Sequence, residues 1–259
     1  VTRLHVHRFG PPGPVRVLAL HGLTGHGRRW ERLASRYLPE VAFAAPDLIG
    51  HGRSSWDAPW TIEANADALA DLLAREGDGP AVIVAHSFGS AVALQLAAAN
   101  PGRVCGLVLL DPAVELDGGW MLEIADAMLA SPDYSDVAEA RAAKTNGSWA
   151  GVDPSVVDAE LEEHLVMLPG GRCTWRLSLP AMMAYWSELA REIVLPPKGI
   201  GTTLVQAAWT WPPYVTDRLV TGLGERLGED FRYLTFECDH MVAETKPADV
   251  AALIRERMV

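Results

Sequence analysis

The sequence predicts an α/β protein: a mainly parallel, doubly covered β-sheet carrying an inserted helical cap. Three observations predict it. Short β-rich apolar runs alternate with longer helical patterns, the signature of βαβ units. The runs are apolar at successive positions, as strands covered on both faces must be. A single stretch, from 113 to about 197, breaks the alternation and contains helical pieces without a convincing strand.

Taken in order, residues 4–9 form a weak opening strand at the edge. Residues 15–20 (VRVLAL) are a buried strand ending at His21-Gly22, and 41–45 are another, stopped by Pro46. Residues 62–75 are Ala- and Leu-rich and helical, with Thr61 placed to cap them. Residues 81–85 (AVIVA) and 104–110 (VCGLVLL) are strands on either side of a helix over 88–99. In the interrupting stretch the helical pieces are 120–130, 155–168 and 181–194. The second opens on Asp153-Pro154, a cap followed by proline at the first helical position, and Val157, Leu161, Leu165 and Leu168 share its apolar face. Strands follow at 202–207 and 231–236, and residues 247–258 close the chain as an amphipathic helix. The expected division is a core of 1–112 and 198–259, with a cap, or lid, of 113–197.

The 259 residues fit one domain with an insertion, and 49% hydrophobic residues allow a large core. A net charge of -11 argues against nucleic acid and anionic membrane surfaces as partners. Cys105, Cys173 and Cys238 are isolated, with neither metal spacing nor a disulfide framework. No stretch is long and apolar enough to span a bilayer, and Val1 to His5 show no signal-type run. A cytoplasmic protein is the expectation; oligomeric state is not legible.

The sharpest motif is Ala85-His86-Ser87-Phe88-Gly89, directly after a strand and before a helix. A nucleophile on so tight a turn needs small residues two positions away on each side, here Ala85 and Gly89. The turn projects the Ser87 hydroxyl at the C-terminal end of the sheet and aims the Phe88 N–H at a developing oxyanion. His21-Gly22-Leu23-Thr24-Gly25 ends an earlier strand, and its Leu23 N–H can be the second oxyanion donor.

With the PDLIGHGRSS segment (46–55), these motifs resemble the α/β-hydrolase family in kind and order, with Ala85 where that family usually has Gly. The resemblance covers essentially the whole chain and implies a serine hydrolase with nucleophile, acid and histidine in that chain order. His240, in the Cys238-Asp239-His240-Met241 loop after the last strand, is then the general base. His21, His51 and His86 belong to the motifs as local structural residues; His5, His7, His26 and His164 have no chemical context.

The acid is harder to place. The loop after the penultimate strand, where relatives most often carry Asp, reads AAWTWPP and holds no carboxylate before Asp217. A subset of the family places the acid one strand earlier, which here is Asp111. Glu115 and Asp217 are the alternatives. Asp47 reads as a turn residue, and Asp239 adjoins His240 too closely in sequence to reach its ring.

Tryptophans gather in the loops expected above the sheet. Trp209 and Trp211, with Trp186 and Met182 of the cap, are expected to line an apolar pocket; packing of the cap on the core is the alternative. The resemblance implies two-step acyl transfer on a small ester, lactone or thioester with an apolar group, without metal or organic cofactor. Carbon–carbon bond hydrolysis, cofactor-free haloperoxidase-like chemistry and a non-catalytic binding protein remain open. Serine at position 87 argues against reactions that need a carboxylate nucleophile.

Overall fold

The computed structural model describes residues 3–258. Its sheet is built from β1 (Val6–Phe9), β2 (Val17–Leu20), β3 (Phe43–Pro46), β4 (Ala81–His86), β5 (Val104–Leu110), β8 (Gly201–Ala207) and β9 (Phe231–Phe236), in the order β1-β3-β2-β4-β5-β8-β9. Only β1 runs antiparallel, at one edge. The chain crosses from β2 to β3 on one side and to β4 on the other, so the C-terminal ends of β2 and β4 lie together.

The period of two along each strand sorts the core into two layers. Leu18, Leu20, Ile83, Ala85, Leu107, Leu109 and Leu204 face one side. There they meet α1 (Ile62–Glu76), α2 (Phe88–Ala99) and α7 (Asp217–Leu227). Val17, Ala19, Val82, Val84, Val108, Leu110 and Val205 face the other, against α8 (Val242–Thr245), α9 (Pro247–Arg257) and the short turns holding Trp30 and Leu33. Thr61 caps α1 as its position suggests, its hydroxyl accepting from the Ala64 N–H at 3.1 Å.

Between β5 and β8 lie α3 (Gly118–Ala130), α4 (Val137–Thr145), α5 (Pro154–His164), β6 (Leu165–Met167), β7 (Cys173–Trp175) and α6 (Leu179–Glu188). Two expectations are corrected here. The stretch does contain strands, since β6 and β7 pair as an antiparallel hairpin, and Leu165 and Leu168 therefore leave the helix. The Pro169-Gly170-Gly171 turn supplies the reason, with both glycines at positive φ (82° and 86°), closing a hairpin where a helix would need to continue. The third helix ends at Glu188, short of 194, ahead of the β-branched Ile193-Val194 and the Pro196-Pro197 pair. Helix α4 has no counterpart in the sequence reading.

This stretch shares its apolar layers with the rest of the chain. Ala181, Met182 and Tyr185 of α6 join the layer on the α1–α2 side. A smaller core of the cap, including Trp149, Val157, Leu161 and Trp175, closes on Met241, the residue after His240. Among the described residues no helix is long and apolar enough to cross a membrane, and all three cysteines are free.

Candidate active site

Ser87 sits between the end of β4 and the start of α2 with φ 52° and ψ -122°, a conformation that costs a non-glycine residue on the order of 1–3 kcal/mol. Hydrogen bonds hold it there: its N–H donates to Leu110 O at 3.0 Å, and Ser90 N–H donates to Ser87 O at 2.9 Å. The turn needs bare backbone around it. A Cβ on Gly89 would stand 2.6 Å from His21 O and 2.8 Å from Leu20 O, and one on Gly22 would stand 2.9 Å from Ser87 Cβ. Ala85, by contrast, turns its methyl into the apolar layer, where it is fully buried.

The Leu23 N–H is aimed by its neighbours. Gly22 O, in the same peptide plane, accepts from Gly25 N–H at 3.1 Å and from His21 Nδ1–H at 2.8 Å. His21 Nε2 accepts from Leu48 N–H at 2.9 Å, so the ring joins the 21–25 turn to the PDLIGHGRSS segment. Burial holds its pKa well below the usual histidine range, so the ring stays neutral and keeps both bonds. Phe88 opens α2, where a first-turn N–H has no acceptor within the helix. The 21–25 turn, at Gly22, and the start of α2, at Phe88, thus both border Ser87.

His240 Nδ1–H donates to Asp111 Oδ2 at 2.6 Å. Asp111 is fully buried with φ 42°. Its charge is met by Ala207 N–H on Oδ1 at 3.0 Å and by Thr210 Oγ1–H on Oδ2 at 3.3 Å. Because β5 and β8 are neighbours, a carboxylate at the end of β5 reaches the same place as one in the loop after β8. The alternatives lie elsewhere: Glu115 is 2.7 Å from Arg218 Nη1, and Asp217 begins α7. Asp47 is a turn residue as expected, accepting from the N–H groups of Gly27 and Arg53.

His86 Nε2–H donates to His240 O at 2.8 Å, and the two ring centroids are 4.4 Å apart. Burial keeps His86 far below the normal histidine pKa, so it adds no positive charge beside the His240 ring. Tyr214 is the other neighbour, 4.5 Å from His240 by centroids and stacked on Trp120 at 5.2 Å. Among the described residues no hydrogen bond joins Ser87 Oγ to His240 Nε2. The residue before Ser87 nonetheless grips the His240 backbone, and such bonds are often long until substrate binds.

The expected pocket residues divide. Trp186 lines a groove of about 800 Å³ between α3, α6 and β7, with Met128, Trp175, Leu177 and, at the oxyanion turn, Thr24. Met182 is buried in the core layer instead. Trp211 is 88% exposed and Trp209 is 59% exposed, with its Nε1–H on Glu237. Both rings stand largely in solvent, while the loop that carries them is tied down by Trp209 N–H on Cys238 O at 3.1 Å and by Thr210 on Asp111. Tyr214, three residues past Trp211, is the aromatic of that loop that faces the site; its place beyond Pro212-Pro213 was the available signal.

The ligand atoms of His5, His7 and Asp47 lie within 4.8 Å of one another. Both Asp47 oxygens already accept backbone N–H groups, which makes the trio a fastening of β1 to the 46–55 segment rather than a cation site.

Residues 17–253 match the Alpha/beta hydrolase family, and the chain belongs to it. It is 64% identical, over 258 residues spanning 100% of this chain and 98% of the relative, to a Mycobacterium tuberculosis protein named Lipase LipV. Esterase Rv0045c of the same organism is 37% identical over 106 residues, 40% of this chain and 35% of that one. In fold, the chain resembles E-2-(acetamidomethylene)succinate hydrolase at a TM-score of 0.82, with 22% identity, 99% of this chain and 95% of that chain covered.

Proposed function

We propose that this chain is a serine esterase, lipase-like, that cleaves a carboxylic ester with an apolar group through an acyl-enzyme. The observation that carries the reading is the 2.6 Å contact of His240 Nδ1 with the buried Asp111 carboxylate. A non-catalytic relative has no need to bury a charge against an imidazole beside a strained serine. Ser87 attacks the carbonyl carbon and gives its proton to His240 Nε2 while Asp111 stabilises the imidazolium. The N–H groups of Leu23 and Phe88 receive the oxyanion. His240 then protonates the leaving alkoxide and activates water for deacylation.

The name of the 64% identical relative points to an apolar acyl or alkyl group, and the groove of mixed polarity that holds Trp186, Met128 and Leu177 reaches Thr24, next to Leu23. In this reading residues 113–197 are the cap that shapes the groove over the core. Turnover of p-nitrophenyl esters of increasing chain length tests it. Hydrolysis that depends on chain length, with the preference altered in Trp186→Ala, is expected. Absence of turnover across the series in folded protein contradicts the reading.

A further inference from the structure

The least expected feature is a buried ionic cluster between cap and core. Glu160 of α5 has a side chain only 1% exposed. It accepts from Arg29 twice, Nε to Oε2 at 3.0 Å and Nη2 to Oε1 at 2.6 Å, and from His26 Nε2–H at 2.8 Å. Lys144 Nζ of α4 also donates to Oε1. Trp149 lies under both cations, 5.0 Å from the Arg29 guanidinium and 4.3 Å from Lys144 Nζ. Groups of this kind need not raise stability, because apolar residues of equal volume often serve as well. They do impose one geometry.

That geometry runs to the oxyanion turn. Arg29 Nη2 donates to Thr24 O at 3.0 Å as well as to Glu160. Thr24 has φ 60°, an outlier for a β-branched residue that persists only under external restraint. Arg29 also packs on the turn itself, since a Cβ on Gly25 would be 2.7 Å from its Nη1. The Leu23 N–H belongs to this same turn of residues 22–25.

We infer that Glu160 is a positioning residue: through Arg29 it holds the 22–25 turn in shape, so that the cap helps to aim the Leu23 N–H at the oxyanion. The inference rests on Leu23 being an oxyanion donor in the esterase reading. Without the carboxylate, Arg29 loses the partner that orients its fork, and the strained Thr24 peptide relaxes. The loss falls on the transition state and spares ground-state binding in the groove.

Glu160→Gln keeps the shape and removes the charge. Arg29→Lys keeps a cation against Glu160 but lacks the fork that also reaches Thr24 O. For each, kcat and KM on a p-nitrophenyl ester and inhibition by an alkyl trifluoromethyl ketone are measured well below the melting temperature. Expected is a fall in kcat of about 10- to 100-fold with KM within about threefold, since a whole oxyanion donor is worth roughly 10²- to 10³-fold. Ketone affinity should weaken in parallel with kcat/KM. Unchanged kcat and ketone affinity in folded protein, whatever the melting temperature, overturns the inference. If Glu160→Gln does not fold, Arg29→Lys decides alone. Ser87→Ala run alongside separates the two readings. Ser87-dependent turnover that both variants retain defeats the clamp only, whereas wild type without such turnover defeats the esterase reading.

Discussion

His86 and His240 stand with ring centroids 4.4 Å apart, and the first donates its Nε2–H to the backbone carbonyl of the second. The residue beside Ser87 thus fixes the loop that carries His240. Residues 154 positions apart in sequence become parts of one rigid unit.

Replacing His86 by Phe keeps an aromatic ring but leaves the His240 carbonyl with one donor, the Val242 N–H at 2.9 Å, in place of two. Loss of one such hydrogen bond costs about 0.5–1.5 kcal/mol. Chemical denaturation should show that loss, and kcat should fall about tenfold or more as the loop loosens. An unchanged kcat would mean that Met241 and its packing suffice to hold the loop.

Asp111→Asn preserves size while removing the charge that holds the imidazole tautomer. The comparable change in other serine hydrolases of this mechanism lowers kcat by about 10⁴-fold. Steady-state kinetics on the best p-nitrophenyl ester should give a loss of at least about 10³-fold. Nearly full activity would remove Asp111 from the triad.

Gly22→Ala places a methyl 2.9 Å from Ser87 Cβ, and 3.0 Å from His86 Nδ1. The expected outcome is a folded protein with kcat reduced by about 100-fold and KM little changed, read by far-UV circular dichroism and kinetics. Full activity would show that the 21–25 turn can retreat without harm to the oxyanion donor.

Much of this was legible in the residues. Strands apolar at successive positions announced a sheet covered on both faces, and the small residues around Ser87 announced the elbow. Asp111 could be ranked first from chain order, but its contact depended on β5 and β8 being neighbours, which is a fact of topology. The cap read poorly for a different reason. Its helices are short and its hairpin strands have three residues each, too few for a periodicity to emerge. Glu160 belongs to no motif in the sequence, and His26 has no chemical context there. Only packing brings Arg29 and Lys144 to them.

The same cluster predicts a pH dependence of stability. Glu244, partly buried near Arg29, Lys144 and Glu160, has its pKa raised by burial from 4.5 to about 7. An acid whose folded pKa exceeds its unfolded value contributes stability that is complete below about 4.5 and is lost as pH rises through about 7. Urea denaturation of wild type and Glu244→Gln between pH 5 and 8 should therefore differ in slope. Relative to Glu244→Gln, wild type should weaken with rising pH by on the order of 2 kcal/mol. Parallel profiles would contradict an ionisation at that site.

The central claim is that Ser87 is a nucleophile activated by His240. Intact-mass spectrometry after treatment with a fluorophosphonate tests it most directly. Expected are a single adduct mapped to Ser87, none in Ser87→Ala, and labelling slowed by about 100-fold or more in His240→Ala. An unlabelled wild type, an adduct on another residue, or equal labelling rates with and without the imidazole would contradict it.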